Sequence, residues 1–531
     1  MNKRFFINIL ITLIVGIVIY YFMLPPINIS SGIFWTYVII LLFIYFILSC
    51  FNIFDKNLFY KNHMKLNNFK LSKSIYIISI IITLIILVNF ICSPVFNANS
   101  YASRIVVDET KEFKTNVPLV DFNAIPLLDK ESSQKLGDRT MGAMTDLVSQ
   151  FYVSDLYTQI NYNNDIVRVT PLEYAGVIKY FTNRDEGIKG YITVNSVSGE
   201  AELVRLSDGM KYMPSSLFFE NLERKLRFSY PTKIFGDMNF EIDNEGNPYW
   251  IVETCSYRGI GLKRDVNGVV IFDPITGDSK WYKVGEIPTW VDHVYDASLI
   301  IEQFDNWGEY KNGYFNSIFG QKGVVNTTEG YNYLAMNDDI YLYTGVTSVS
   351  SDESNLGFIL TNMRTKETNF YSIAGAEEFS AMASAEGLVQ DKKYQATFPL
   401  LINLNGNPTY LMSLKDNAGL VKMYALVDVV DYQKVVTVDV TLGIEEAARI
   451  YLNENSITNN SNLIEELIQI QEINTAIIDG ITYYYIVDTN NNRYSASIKI
   501  NKNFLPFMKI GDKISIKYYQ DKNIRIITTI N

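Results

Sequence analysis

The 531-residue sequence holds three cysteines and two histidines, too few for a disulfide framework or for a zinc site built from several His or Cys ligands. It contains no P-loop, no G-x-S-x-G and no H-E-x-x-H, so phosphate cradling, the serine-hydrolase elbow and zincin chemistry lack their usual carriers. Basic residues are outnumbered past the first hundred positions: beyond residue 96, 39 Lys and Arg stand against 56 Asp and Glu, a balance of −17. Sequence-independent nucleic-acid binding needs clustered cations to replace counterions, and this acidic bulk argues against it. Residues 1–96, with seven Lys and Arg and one acid, carry +6. The two parts therefore face different surroundings. At roughly 150 residues per domain the length allows several folding units. With 48% apolar and 19% charged residues, the chain is too hydrophobic to be disordered and too mixed to be mostly membrane.

Between Phe5 and Ser30 no residue is charged, and the run FFINILITLIVGIVIYYFML is long enough to cross about 30 Å of hydrocarbon as a helix. A signal peptide would have an apolar region of about 7–15 residues followed by a small-x-small cleavage site; neither matches. A second uncharged run covers residues 31–54, after a linker that opens with Pro25 and Pro26, and a third covers residues 75–96. Three spans put the termini on opposite sides. The loop after the second run holds Lys56, Lys61, Lys65, Lys70 and Lys73 against Asp55, the loop after the first holds no charge, and Lys3 and Arg4 precede the first. Short cytoplasmic loops are enriched in Lys and Arg, so the N-terminus is expected inside and residues 97–531 outside. Cys50 and Cys92 fall within the runs, which leaves Cys255 as the one external thiol. The abundance of Ile, Asn, Lys and Tyr resembles the coding bias of low-GC bacteria, an inference from composition alone.

Residues 97–165 read as a stalk with an entry helix, in which Leu136, Met141, Met144, Leu147 and Val148 recur at helical spacing. A repeat follows. GYITVNSVSGEAELVRL (190–206) aligns with GFILTNMRTKETNFYSI (357–373), EIDNEGNPYWIV (241–252) with LINLNGNPTYLM (401–412), and VNGVVIFDPITGDSKWYKV (266–284) with KMYALVDVVDYQKVVTV (422–438). The same order recurs, so units 166–330 and 331–440 are expected to be duplicates. Each reads as an antiparallel sheet with a helix, at 215–228 and 375–389, and with Gly-Asn-Pro as a hairpin turn. Residues 441–475 read as a helical connector, and 476–531 as a small β-barrel of OB or SH3-like type. The fold class is α+β behind three N-terminal transmembrane helices.

VIFDPITGDSKWYKV (270–284), following NPYWIVETC, resembles the strand signature of PepSY-type domains, and YITVNSVSGEAELV (191–204) is a weaker version of it. Residues 130–440, with blocks such as YTQINYNNDIVRVTPLEYAG and YLYTGVTSVSSDESNLGFI, also resemble an uncharacterised family of large membrane-anchored proteins of low-GC Gram-positive bacteria. PepSY domains are associated with restraining or regulating secreted peptidases, so the resemblance implies binding more than catalysis.

Nucleophilic catalysis pairs a Ser or Cys with a base, usually His. His63 falls on the cytoplasmic side, which leaves His293 as the external base, Cys255 as its partner, and Asp292 or Asp296 to orient the imidazole. The plainer reading makes Cys255 a small buried hydrophobe and His293 a residue beside a helix start. Acid pairs are too numerous for spacing to single one out. Residues 488–492 begin like an EF-hand loop, but Arg493 stands at loop position six and Lys499 at position twelve, so calcium is excluded. Trp250, Trp281, Trp290, Trp307 and Tyr249 are read as core fillers before stacking platforms. The expectation is an envelope protein that binds or regulates a partner, without catalysis and without cofactor or metal. Its partners would be the lipid bilayer and an envelope protein or peptidase, and no nucleic acid. A hydrolase using Cys255 and His293 or an acid pair, and a structural assembly factor, are the alternatives.

Overall fold

The computed structural model describes residues 3–50, 73–336, 338–348, 354–454, 464–478, 481–521 and 524–530. His63 and the lysines at 56, 61, 65 and 70 lie outside the described residues. Helices α1 (Lys3–Met23), α2 (Gly32–Cys50) and α3 (Lys73–Ile91) are long and apolar enough to cross a membrane, and almost nothing in the protein covers them. They are apolar all round, with no polar stripe to face water.

The ends of these helices are fastened to the folded body. The last carbonyls of α1 have no partners within the helix. Arg224 Nε donates to the Tyr21 carbonyl at 3.3 Å and Arg227 Nε to that of Leu24 at 2.9 Å, cations at a helix C-terminus where the dipole favours them. In the α1–α2 loop, Ile27 N donates to the Pro231 carbonyl at 2.7 Å and the Ser30 carbonyl accepts from Gly261 N at 2.9 Å. Near the end of α3, the Asn89 side chain exchanges two hydrogen bonds with the backbone of Ile260, at 3.0 and 2.9 Å. Helix α4 (Pro94–Ala102), strand β1 (Val107–Asp108) and the single turn α5 (Phe113–Asn116) follow.

Residues 97–165 do not form a stalk. Ile105, Phe151 and Ile160 are buried in cores of the body, because their apolar side chains find sheet faces to cover. The entry helix is α6 (Lys130–Gly142), started by Asp129, whose carboxylate accepts from Ser132 N at 3.0 Å.

The chain forms two compact units, one from Met1–Thr110, Ala124–Asp352 and Leu356–Phe370, the other from Lys111–Asn123, Glu353–Asn355 and Tyr371–Asn531. After α6 come β2 (Phe151–Val153), β3 (Thr158–Tyr162), β4 (Asp165–Tyr174), α7 (Val177–Asn183), β5 (Ile188–Asn195), β6 (Ala201–Met210), α8 (Leu222–Ser229), β7 (Ile234–Ile242), β8 (Pro248–Tyr257), β9 (Arg264–Phe272) and β10 (Ser279–Lys283). One sheet has the order β2-β4-β5-β6 with β3 also on β4, and the other is the meander β10-β9-β8-β7. Their facing sides share a core with Val169, Tyr191, Phe240, Trp250, Val270 and Phe272. Strand alternation sends Ile251, Val269 and Ile271 to the opposite face of the meander, into a second core with Leu299, Ile300 and Phe304. The first expected helix, 215–228, is only α8, because Asn221 caps it by accepting from Arg224 N at 3.1 Å and Phe218–Glu220 forms a separate turn.

The chain continues through α9 (Ala297–Tyr310), β11 (Val325–Thr327), β12 (Asn332–Met336), β13 (Asp339–Ser348), β14 (Ser354–Asn362), β15 (Thr368–Tyr371), β16 (Gly375–Ala376), α10 (Glu378–Leu388), β17 (Gln395–Ala396), β18 (Leu400–Leu404), β19 (Asn407–Lys415), β20 (Val421–Asp428) and β21 (Val435–Asp439). Two pairing features are shared by the runs α6 to β10 and α9 to β21: β2 and β3 both pair with β4, as β11 and β12 both pair with β13, and β7 to β10 form a meander, as β18 to β21 do; among the described residues the second run differs in its added β16 and β17, the latter a fifth strand beside β19. Each Gly-Asn-Pro turn joins the first two strands of its meander, yet the registers differ by one residue. Trp250 faces Phe240, and Tyr410, its aligned counterpart, faces Leu401 rather than position 400. Asn405 and Gly406 both take positive φ, 55° and 85°, as a two-residue turn. In the first copy Glu245 stands where Asn405 does, and Asp243 caps a longer turn by accepting from Glu245 N at 3.1 Å and Asn247 N at 2.8 Å.

Helix α11 (Ile444–Glu454) is followed by β22 (Ile464–Ile478), β23 (Ile481–Asp488), β24 (Arg493–Ser497), β25 (Lys513–Asp521) and β26 (Ile524–Ile530), a closed barrel of order β22-β23-β24-β26-β25. Among the described residues of the expected connector over 441–475, the α-helix is α11, preceded by a short turn at Val440–Leu442, and the barrel's first strand starts at 464 instead of 476. Ile468 and Ile470, two apart, both point into the barrel core, which is the period of a strand.

Candidate functional site

Cys255 and His293 are not brought together. Cys255 sits on β8 at an irregularity in the pairing after Thr254, buried, with its thiol directed to Glu253 Oε2 at 3.8 Å. Gly236 on β7 makes this possible: a Cβ there would lie 2.2 Å from Glu253 Oε2 and 3.1 Å from Cys255 Sγ. Burial, and then the Glu253 carboxylate, push the thiol well above its ordinary range, the opposite of an activated nucleophile. The thiol borders a cavity of about 290 Å³ lined also by Asn28, Lys233 and Asn267, and His293 is not among its walls.

His293 lies in the loop before α9 and is fixed by other partners. Its Nε2 is 2.6 Å from the Gln159 carbonyl and therefore donates to it, its backbone N–H donates to Glu241 Oε1 at 3.1 Å, and its ring meets Tyr333 edge-on at 5.4 Å. Burial pushes the imidazole down from the ordinary 6.5 to about 4. Asp292 does not orient it: the Asp292 carboxylate accepts from Asn161 N at 2.7 Å. Asp296 caps α9 by accepting from Leu299 N at 2.8 Å and pairs with Arg264.

Two glutamates that sequence reasoning did not single out organise this region. Glu241 on β7 accepts from the N–H groups of both Asp292 and His293, and Glu253 on β8 accepts from Asp296 N at 2.7 Å. The sheet face thus ties down the loop that starts α9. Burial raises both carboxyls, that of Glu253 to about 8 with Asp296 adding to the shift. Their signal in the sequence was an acid at an inward position of an apolar strand, as in WIVETC. The arrangement is a sealed polar seam, and among the described residues no hydrogen bond joins Cys255 to His293.

The seam predicts a pH signature. The folded state disfavours charged His293, so its contribution is complete above about pH 6.5 and is lost as pH falls toward 4, an effect of about 3 kcal/mol. Glu241, Glu253 and Asp292, whose folded forms prefer the proton, push stability the other way over the same range. The difference between the parent chain and His293→Gln isolates the histidine. In denaturant unfolding the variant is expected to lose less stability than the parent between pH 6.5 and 4, and equal losses would contradict the assignment.

An open groove lies elsewhere in the same unit, where residues of both facing sheets meet. It encloses about 580 Å³ over β4, β5 and β6, floored by Tyr162, Tyr191 and Thr193 and closed at one end by the β7–β8 turn. Tyr191 OH donates to the Gly246 carbonyl at 2.8 Å and holds that turn in place. Asp165, Glu200, Glu202 and Glu245 line it against one cation, Arg205, whose guanidinium is 3.1 Å from Asp146. β6 is the last strand of its sheet, so among the described residues its outer backbone groups have no neighbouring strand. Of the five aromatics named from the sequence, Trp250 is fully buried and the other four are half-buried. Among the described residues no group of His, Cys, Asp or Glu has the arrangement of a metal site. Comparison with protein-family models finds none that matches the chain, and no curated protein matches it.

Proposed function

We propose that this is a membrane-anchored extracytoplasmic protein of the bacterial envelope that binds or regulates a partner and has no catalysis of its own. The groove beside β6 carries the reading. It is open, it has an aromatic floor and an acidic rim, and the adjacent sheet edge can accept an added strand, a common mode of peptide recognition. An extended polypeptide segment with positive charge fits it. The likeness to PepSY-type domains points to a peptidase or another envelope protein as the source of that segment. The turn behind the likeness, residues 273–278, is built by Asp273, which accepts from Ile275 N at 2.7 Å and from the Thr276 hydroxyl at 2.9 Å. The shared pairing features support duplication of an ancestral unit, and the barrel's order, with β24 and β26 parallel, supports an OB-type barrel. The lysine asymmetry supports an extracytoplasmic body.

One experiment tests orientation and binding. In a Cys92→Ala background, Glu202→Cys is treated in intact cells with a membrane-impermeant maleimide that carries a photoreactive group. Labelling without breaking the membrane is expected, and irradiation should give a discrete adduct that disappears when Asp165→Lys and Glu245→Lys are added. Labelling only after lysis would reverse the orientation, and an adduct indifferent to the charge reversals would remove the groove from the binding role.

A further inference from the structure

We propose that the body carries an apolar foot that enters the lipid leaflet beside the end of α1, formed by Val177, Ile178 and Phe181 on and around α7 and by Phe218, Phe219 and Phe228. Their exposures are 58, 75, 50, 53, 68 and 47%. Single exposed apolar residues are ordinary, but a contiguous set marks an interface. The phenylalanines here are contiguous: the rings of Phe181 and Phe218 are 6.2 Å apart, as are those of Phe219 and Phe228, and Phe218 and Phe219 are chain neighbours, while Val177 and Ile178 share α7 with Phe181.

The set continues the surface of a span. Phe219 lies 6.0 Å from Tyr21 and Phe228 6.1 Å from Tyr20, ring to ring, and both tyrosines belong to the last turn of α1. Tyrosines at the end of an apolar helix sit at headgroup depth, so side chains touching them share that depth. Arg224 lies over the Tyr21 ring at 4.1 Å, and Lys179 follows Ile178 on α7. Long cations beside an apolar surface reach for phosphate while their stems stay in the apolar layer.

Phe218 adds a separate observation. Its φ is 53°, a left-handed conformation that costs a bulky residue energy and persists where surroundings enforce it. Here it is enforced by Arg224, whose guanidinium donates to the Phe218 carbonyl, and its result is a phenyl ring turned out of the protein. A strained backbone that exposes an aromatic makes sense when something apolar receives the ring. Since the patch begins where α1 ends, that partner is lipid.

The inference rests on α1–α3 spanning a membrane, and the test separates the two claims. The full chain is reconstituted in vesicles of phosphatidylcholine and phosphatidylglycerol in equal parts, with plain or brominated acyl chains. Emission added over the parent by Phe219→Trp and by Ile178→Trp is expected to fall about twofold with brominated chains, since interfacial side chains sit about 5–10 Å into the headgroup and acyl boundary. Ile82→Trp, in the middle of α3, should also be quenched, and Asn244→Trp, in the exposed β7–β8 turn, should not. Quenching at Ile82→Trp without quenching at either foot position would overturn the foot and leave the spans. No quenching at Ile82→Trp would remove the spans and the foot with them. Shielding of the foot positions that fades as the chain is diluted in the vesicles would assign the patch to a second copy and overturn the proposal.

Discussion

Arg264→Ala is expected to lower the stability of the full chain by about 3–5 kcal/mol, the cost of removing one partner from a buried ion pair. Arg264 pairs with Asp296, and their side chains are 21% and 8% exposed. The lost cation also faces Glu253, which burial already holds at about 8. Without the guanidinium, Asp296 stays in the seam as an uncompensated charge and Glu253 is still harder to ionise. Since the folded form of Glu253 prefers the proton, stability tied to it is present below its unfolded value and is lost as pH rises through the folded one. The penalty of Arg264→Ala is therefore expected to be larger near about pH 8 than near about pH 5. Denaturant midpoints at the two pH values check this, and a penalty independent of pH would place Glu253 outside the influence of Arg264.

Trp250→Ala is expected to cost about 3–5 kcal/mol, because the cavity left by a buried aromatic collapses only in part. The indole is fully buried and packs against Phe240 at 5.3 Å. Trp250→Phe is expected to cost far less than a typical loss of volume would suggest. The indole N–H has no hydrogen-bond partner among the described residues, so the substitution also deletes an unsatisfied donor. Tyr410, the aligned residue, differs here: its hydroxyl donates to the Ala376 carbonyl at 2.9 Å, so Tyr410→Phe should cost more than Trp250→Phe. Equal costs in denaturant unfolding would mean the two aligned aromatics are held alike.

The three apolar helices and the order of hairpins were legible because their signals are local: unbroken hydrophobic runs in the first case, alternation interrupted by turn residues in the second. Strand β22 was misread as helix because Ile464, Leu467 and Ile468 also satisfy helical spacing. The arbiter was the density of Ile and Thr from Ile468 to Ile478, a β-branched run that favours a pleated surface. The one-residue difference between meanders was visible as Asn405 against Glu245, since a tight turn with two positive φ values admits Asn-Gly but not Glu-Gly. The seam was not legible. Glu241, Glu253 and Arg264 meet Asp292 and Asp296 only through tertiary packing, and a carboxylate in a strand says nothing by itself about which loop it will hold. The pairing of Cys255 with His293 failed for the same reason, since the one thiol and the one imidazole beyond residue 96 are a count and not a geometry.

The three attachments between body and helices have a mechanical consequence. A domain joined to its anchor at one point swivels, and one joined at two points still rocks about the line between them. Here Arg224 and Arg227 grip the end of α1, Gly261 holds the loop into α2, and Ile260 holds Asn89 near the end of α3. Torque applied to the sheets that carry these contacts therefore reaches the helices as tilt, and tilt of the helices reaches those sheets.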